Sequence, residues 1–186
     1  MKKLMPILFV AVLVAFIACD LENLEVTIPI KEQVINFEVG EYNAQQSTKV
    51  YQSVPAATNE MVLLDTIMEI NLAEAAKEEG YDYEALKELI LTNATIELNE
   101  DNPDFDMSVF DNLKLFIDDR TKPVAQADKI EGNAVAIKII DSGNLLEKLD
   151  NDNLHIILTG NALPSERVKL KLIADFKAKI RAFKLK

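Results

Sequence analysis

The feature that most constrains the fold of this chain is a strictly alternating run near its C-terminus. Every second residue of that run is apolar, and mostly lysines and other polar residues stand between them: Val168, Leu170, Leu172, Ala174, Phe176, Ala178, Ile180 and Ala182. A period of two over this length predicts one long β-strand with a single buried face. Since strands usually have about 5 or 6 residues, we expect this one to bend or to carry a bulge, which would let it serve two sheets in turn.

Shorter runs rich in β-branched and other apolar residues predict the remaining strands. They recur at short spacing with turn residues between them: Leu24 to Ile30, Val34 to Val39, Val50 to Val54, Met61 to Ile70, Thr92 to Leu98, Leu113 to Asp118, Val124 to Ile130, Ala134 to Ile140 and Leu154 to Gly160. Proline cannot donate a hydrogen bond to a neighbouring strand, so Pro29 predicts that the first strand lies at a sheet edge or contains a bulge.

Helix signals are short and local. Asn71 with Glu74 forms the pattern of a capping box for a helix that Gly80 ends, Asp82 is placed to cap a second helix from Tyr83 to Leu91, and Asn144 with Glu147 repeats the pattern. Strands and long helices do not alternate along the chain. The sequence therefore predicts an antiparallel β-sandwich, immunoglobulin-like or jelly-roll-like, with short helical inserts.

Charge is distributed unevenly along the chain. The formal net charge is −11, yet residues 166 to 186 hold 8 basic and 2 acidic side chains, against 10 basic and 29 acidic in residues 19 to 165. The acidic balance argues against nucleic acid as a partner, because phosphate binding needs a basic face. A basic strand beside acidic strands favours cross-strand ion pairs, and contact with anionic lipid headgroups is the alternative use of these lysines.

The N-terminus has the profile of a signal peptide. Lys2 and Lys3 precede an apolar stretch of 15 residues from Leu4 to Ala18, and the chain turns polar at Asp20. A membrane-spanning helix needs about 20 apolar residues, so this stretch reads as a leader. The predicted mature chain, residues 19 to 186, contains no Pro/Gly/Ser-rich linker and is of ordinary size for one domain.

The residues Phe16-Ile17-Ala18-Cys19 at the end of this leader resemble the lipobox of bacterial lipoproteins, with Phe16 where that motif most often has leucine. The resemblance implies removal of residues 1 to 18 and attachment of a diacylglycerol to the Cys19 thiol, usually with acylation of the new amino terminus. Cys19 is the only cysteine, so an intramolecular disulfide is impossible. The implied partner is a membrane, held through lipid on Cys19.

The mature part is similar in pattern to cell-surface lipoproteins of Bacteroidetes-type bacteria. The shared pattern is a short amphipathic helical segment, a strand such as Ala94-Thr95-Ile96-Glu97-Leu98, and a long C-terminal strand. This resemblance implies a sandwich fold and no activity, and it favours the outer membrane of a cell envelope. Asp20 beside the cysteine resembles a retention signal in some lipoproteins and an export signal in others, so the side of the membrane stays open.

Few residues suggest chemistry. His155 is the only histidine, and one histidine without a recognisable nucleophile or further nitrogen and sulfur ligands predicts neither a catalytic triad nor a zinc site. The sequence contains no GxGxxG, Walker A or HExxH motif, so a nucleotide or zinc-protease site of those kinds is not predicted. A structural or surface position is the expectation for His155.

The densest group of carboxylates runs from Glu100 to Asp106. Oxygen ligands suit calcium, which makes Glu100, Asp101, Asp104 and Asp106 candidate ligands, although the glycine and distal glutamate of an EF-hand loop are missing. A solvated acidic turn formed around Asn102 and Pro103 is the simpler interpretation, and a turn is also preferred for Asp150 to Asn153.

From these observations we expect a lipid-anchored protein of the cell envelope that binds or serves a structural role, without catalytic activity or a required cofactor. Another envelope protein or a surface ligand is the candidate partner. A calcium-dependent binding module is the alternative. A hydrolase that uses two carboxylates is a third hypothesis, since any two of many acidic residues could meet in space.

Overall fold

The computed structural model describes residues 25–40, 60–81, 85–100, 104–128, 130, 132–162 and 164–181. In this part of the chain the strands are β1 (Glu25–Val39), β2 (Met61–Glu69), β3 (Leu86–Leu98), β4 (Leu113–Ile117), β5 (Ala125–Ala127), β6 (Ala134–Ala136), β7 (Lys138–Ile139), β8 (Asn153–Gly160) and β9 (Val168–Arg181). The described helices are α1 (Leu72–Glu78) and two 3-10 helices, Met107–Val109 and Leu145–Lys148.

The strands form two antiparallel sheets that pack together. Sheet A has the order β1-β9-β3-β6 and sheet B the order β2-β8-β4-β5-β7. One cluster of buried apolar side chains draws on both sheets, including Leu172 and Phe176 from β9 and Ile156 and Leu158 from β8. The predicted antiparallel β-sandwich with short helical inserts is confirmed.

Strand β9 lies inside sheet A, between β1 and β3, and the predicted alternation is confirmed along it. Its even-numbered residues are all buried: Val168, Leu170, Leu172, Ala174, Phe176, Ala178 and Ile180. The expectation that this strand bulges and serves both sheets is wrong. Its pairing runs without an inserted residue from Val168 to Arg181, and the extra residues lie in β1 and β3 instead.

The two strands predicted on either side of Lys31 are one strand, β1. The register with β9 shifts between Ile30 and Gln33, where Glu32 adopts a left-handed backbone with φ of 56°. This bulge inverts the phase of the alternation, so that Ile30 and Ile35 both point toward the core side although an odd number of positions separates them. Pro29 lies in an edge strand that also carries a bulge, as predicted.

Strand β3 corrects the prediction of a second helix from Tyr83 to Leu91. Residues from Leu86 onward pair with β9, and the register shifts twice, between Leu86 and Glu88 and between Leu91 and Asn93. The first bulge places Leu86 and Leu89 on the same side at a spacing of three, which resembles the period of a helix. The bulge in strand β3 thus produces the spacing of apolar residues that predicted a helix.

The run Ala134 to Ile140, predicted as one strand, crosses from one sheet to the other. Residues of β6 pair with β3 in sheet A, and residues of β7 pair with β5 in sheet B. Between them Ile137 is buried and its N–H donates to the carbonyl of Ala94. The change of sheet expected for the C-terminal strand therefore occurs here. Likewise, the predicted strand Val124 to Ile130 is regular only over β5.

Helix α1 follows β2 as predicted, and Gly80 ends it with a φ of 80°. Its capping box is absent, because the Asn71 side chain makes no capping hydrogen bond. Asn144 does cap a helix: its Oδ1 accepts from Leu146 N at 3.1 Å, and it also accepts from Leu89 N at 3.0 Å. This side chain therefore caps the start of a 3-10 helix and also provides a hydrogen-bond acceptor for a backbone N–H at the unpaired edge of β3.

The predicted strand Val50 to Val54 lies outside the described residues.

Gly40, directly after β1, provides a test of this architecture. It has a φ of 132°, and a Cβ atom at this position would lie 2.1 Å from the Glu166 carbonyl oxygen. We expect Gly40→Ala to lower the free energy of unfolding by more than about 2 kcal/mol, because both the backbone conformation and the space exclude a side chain. Chemical denaturation monitored by circular dichroism measures the change.

Gly132→Ala is the matched control. Gly132 also has a positive φ, of 84°, but no atom of the described residues lies within 4 Å of a Cβ atom there. It should cost only about 1 kcal/mol, the usual penalty for a left-handed residue. Equal losses in the two variants would contradict the close approach of the residue 40 backbone to Glu166.

Candidate functional site

The predicted lipidation site and one predicted calcium ligand, Cys19 and Asp101, lie outside the described residues. The described domain begins at Glu25, the first residue of β1. Five residues therefore separate Cys19 from the start of the sandwich. No helix in the described part of the chain is long and apolar enough to cross a bilayer.

The predicted calcium segment lies between β3 and β4. Glu100 and Asp104 are exposed, whereas Asp106 has a structural role, because its Oδ1 accepts from the backbone N–H of Ser108 at 2.9 Å at the start of a 3-10 helix. This hydrogen bond holds the pKa of the Asp106 carboxyl below its ordinary value. Within the described ranges, no three His, Cys, Asp or Glu side chains are grouped as a metal ion would require. Calcium binding stays a prediction.

The second acidic run, Asp150 to Asn153, forms the predicted turn. Backbone hydrogen bonds join Asp150 and Asn153 in both directions at 3.0 Å. The two residues between them, Asn151 and Asp152, have positive φ values of 50° and 62°. This is the geometry of a tight hairpin turn, which asparagine and aspartate tolerate better than most residues.

His155 lies on the outer face of sheet B, where it contacts Asp65 of the neighbouring strand β2. Its Nε2 is 2.7 Å from Asp65 Oδ1, and its Nδ1 is 3.1 Å from the carbonyl oxygen of Asp118. A general base needs one ring nitrogen directed at a substrate or nucleophile. Here both nitrogens already face protein oxygen atoms, so the geometry suits a structural link between β2, β8 and the end of β4.

The most organised charged surface is the outer face of sheet A. Lysines of β9 form ion pairs with glutamates of β3 that are cross-strand neighbours: Lys171 Nζ lies 2.8 Å from Glu97 Oε2, and Lys179 Nζ lies 2.5 Å from Glu88 Oε2. Hydrogen bonds to these carboxylates raise the pKa of both lysines. The predicted cross-strand pairing of the basic strand with acidic neighbours is therefore confirmed.

Asp175 interrupts this row of lysines and contacts two of the three bulges beside β9, the one in β1 and the second one in β3. Its Oδ1 accepts from the backbone N–H of Glu32 in β1 at 2.9 Å, and its Oδ2 accepts from Asn93 Nδ2 in β3 at 3.2 Å. The Thr92 hydroxyl donates to the Asp175 carbonyl oxygen at 3.1 Å. One side chain of the central strand thus fixes irregular backbone on both sides.

This role of Asp175 was not predicted, although the sequence holds a signal for it. Asp175 is the only acidic residue between Val168 and Lys186, in a stretch otherwise occupied by basic and apolar side chains. A single carboxylate in a basic strand lies near lysines of the same strand, but it does not have to form ion pairs with them. It is then free to accept from backbone N–H groups that a bulge leaves unpaired.

Comparison with protein-family models, with curated proteins and with solved structures gives no match for this chain. The sequence and the geometry of the described residues are therefore the basis for any proposed function.

Replacing Asp175 tests the link between the bulges. We expect Asp175→Ala to lower the free energy of unfolding by about 1–2 kcal/mol, since the Glu32 N–H and the Asn93 amide lose their acceptors. Asp175→Asn retains one acceptor oxygen and should lose less. Urea unfolding of the two variants measures the difference, and an alanine variant as stable as the parent would show that the bulges form without this side chain.

The ion pairs of sheet A predict a dependence on alkaline pH. Because pairing raises the pKa of Lys171 and Lys179, their stabilisation is complete below the ordinary lysine value of 10.5 and is lost as pH rises through the raised values. A variant with Lys171→Gln and Glu97→Gln should melt about 1–2 °C below the parent at pH 8. This gap should narrow progressively as the pH rises above 10.5.

The pair Lys122 and Asp141 gives the matched control, because its side chains are 66% and 58% exposed, against 34% and 33% for Lys171 and Glu97. Lys122→Gln with Asp141→Asn should change the melting temperature less. If the sheet A gap persists unchanged at high pH, the pair does not contribute through charge.

Proposed function

We propose that this chain is a lipid-anchored protein of the cell envelope that acts by binding or by structural association and has no catalytic chemistry of its own. The observation that carries the proposal is the sequence Phe16-Ile17-Ala18-Cys19 directly after a basic start and an uncharged apolar stretch. In such a leader the cysteine thiol is the group that receives lipid. The outer membrane is the favoured location.

The distance between this cysteine and the folded domain supports an anchoring role. Six peptide steps join Cys19 to Glu25, and an extended chain covers at most about 3.6 Å per residue. The sandwich would therefore be held within about 20 Å of the lipid. Two or more acyl chains hold a protein firmly, so a tether of this length would keep the domain at the membrane surface.

The side chains most suited to chemistry have structural partners, which supports a role without catalysis. Both ring nitrogens of His155 face oxygen atoms, and the Asp106 carboxylate caps a 3-10 helix. The glutamates of β3 on the outer face of sheet A are paired with lysines. The surface of the sandwich would then serve for association with another envelope protein or a surface ligand.

Cys19→Ala tests the anchor in the producing cell. The parent should appear in the membrane fraction with an N-terminal peptide that begins at Cys19 and carries acyl mass. The variant should lack that mass and lose firm membrane attachment, because no other residue supplies the thiol. Fractionation with detergent partitioning, followed by mass spectrometry of the N-terminal peptide, measures both properties.

Asp20→Ala is the matched control, since it changes the adjacent residue and leaves the cysteine in place. It should remain acylated and membrane-bound. The proposal is overturned if the Cys19→Ala protein stays as firmly attached as the parent, or if the parent carries no lipid.

A further inference from the structure

His155 contacts the β4–β5 turn, residues 118 to 124, through both its backbone and its ring. Its carbonyl oxygen accepts from the Asp118 N–H at 2.8 Å, and its Nδ1 lies 3.1 Å from the Asp118 carbonyl oxygen. On the other side of the ring, Nε2 lies 2.7 Å from Oδ1 of Asp65 in β2. One side chain of β8 therefore joins the edge strand of sheet B to the turn between β4 and β5.

The two ring contacts require two ring protons. A carbonyl oxygen and an ionised carboxylate are acceptors only, so each ring nitrogen must donate an N–H to form a hydrogen bond here. The cationic imidazole has two N–H groups, whereas the neutral ring has one N–H and one lone pair. The cationic ring of His155 can thus satisfy both Asp65 and Asp118, and the neutral ring can satisfy only one of them.

The charged groups around the ring come from the elements next to β8, since β8 itself contains no other titratable side chain. These groups are Asp65 and Glu69 on the exposed face of β2, Asp118, Asp119 and Arg120 at the start of the β4–β5 turn, Lys148 of the second 3-10 helix, and Asp150 and Asp152 of the turn before β8. All of them lie in the described ranges 60–81, 104–128 and 132–162. Among these groups, the carboxylate within hydrogen-bonding distance of a ring nitrogen is that of Asp65.

The position of the ring allows it to respond to the solution. The side chains of His155 and Asp65 are 31% and 33% exposed, so water can deliver and remove the ring proton although most of each side chain is covered. An ordinary histidine loses this proton near about pH 6.5. His155 is the only histidine in the chain, so it is the one side chain whose ordinary value falls in the neutral range.

We propose that His155 is a pH-responsive link that holds the β4–β5 turn against β8 when its ring is cationic and releases the turn when its ring is neutral. An N–H donated to a carboxylate makes a stronger hydrogen bond than one donated to a carbonyl, so the neutral ring keeps its proton on Nε2 for Asp65. The lone pair of Nδ1 then faces the Asp118 carbonyl oxygen, and that contact is lost. The link is therefore complete below the ordinary histidine value and is lost as the pH rises above it. This inference does not depend on the lipid anchor.

Nitrogen NMR of the full chain labelled with 15N-histidine measures the state of the ring directly, because the chain has a single histidine. Both ring nitrogens should carry a proton at about pH 5, and Nε2 alone should carry one at about pH 8.

Hydrogen exchange measures the release of the turn. The amide of Asp118 donates to the His155 carbonyl oxygen, and the amide of Val124 donates to the Leu115 carbonyl oxygen within the same hairpin, both at 2.8 Å. The protection factor of Asp118, which corrects for the intrinsic effect of pH on exchange, should fall about five-fold between about pH 5 and about pH 8, as expected for the loss of one hydrogen bond. That of Val124, the internal reference, should stay constant.

Asp65→Asn is the variant that separates the pH response from the contact itself. An amide can donate to Nε2, which a carboxylate cannot do, so the neutral ring can then keep its proton on Nδ1 for the Asp118 carbonyl. This variant should show a protonated Nδ1 at about pH 8 and should retain the protection of Asp118. His155→Gln, which has no titrating ring, should give the same Asp118 protection at both pH values.

Three results would overturn the proposal. The first is a parent ring that loses its proton while the protection of Asp118 stays unchanged. The second is a parent ring that carries its proton on Nδ1 at about pH 8, since the turn would then keep its contact. The third is an equal fall of Asp118 protection in His155→Gln, which would assign the pH response to another group.

Discussion

The burial of one face of β9 is the constraint to which the rest of sheet A adapts. Seven alternate side chains of this strand enter the core without interruption, so the neighbouring strands must accommodate every irregularity of the sheet. Both bulge beside Asp175, whose carboxylate receives hydrogen bonds from β1 and β3, and β3 bulges a second time between Leu86 and Glu88. The regular strand and the two irregular ones are thus parts of one arrangement, in which a polar side chain on the outer face accepts from a backbone N–H at the bulge of β1 and from the Asn93 side chain at a bulge of β3.

The two faces of sheet A serve different purposes. Its inner face is almost wholly apolar and joins the common core with β8 of sheet B. Its outer face carries the positive charge of β9, part of it matched by Glu88 and Glu97. Exposed ion pairs contribute little to stability, so their arrangement matters more for where positive charge remains than for holding the sheet together.

The parts of the fold that the sequence predicts are those where the hydrophobic period stays constant. Strand β9 and the class of fold follow from uninterrupted alternation, whereas β1 and β3 were misread because each bulge inverts the phase. Leu86 and Leu89 show the difficulty, since an inserted residue in a strand produces the spacing of a helix.

The crossing between sheets at Ile137 could not be predicted for another reason. It depends on which strands lie beside residues 134 to 140, and the local sequence contains no information about those neighbours. Of the site residues, the turn at Asn151 and Asp152 follows from residue type, while the role of Asp175 depends on contacts with residues more than 80 positions away.

The pairing of β1 with β9 also determines when the domain can form. Strand β1, the first strand in the described part of the chain, pairs with a strand more than 120 residues later, with Glu25 opposite Arg181, and β3 depends on the same late strand. During synthesis the ribosome releases residues in order, so sheet A lacks β9 until the residues up to Arg181 have emerged. Contacts so distant in sequence close slowly, because the entropy of a long loop is lost before they form. A sheet built in this way acquires its final arrangement only after β9 has become available to pair with β1 and β3.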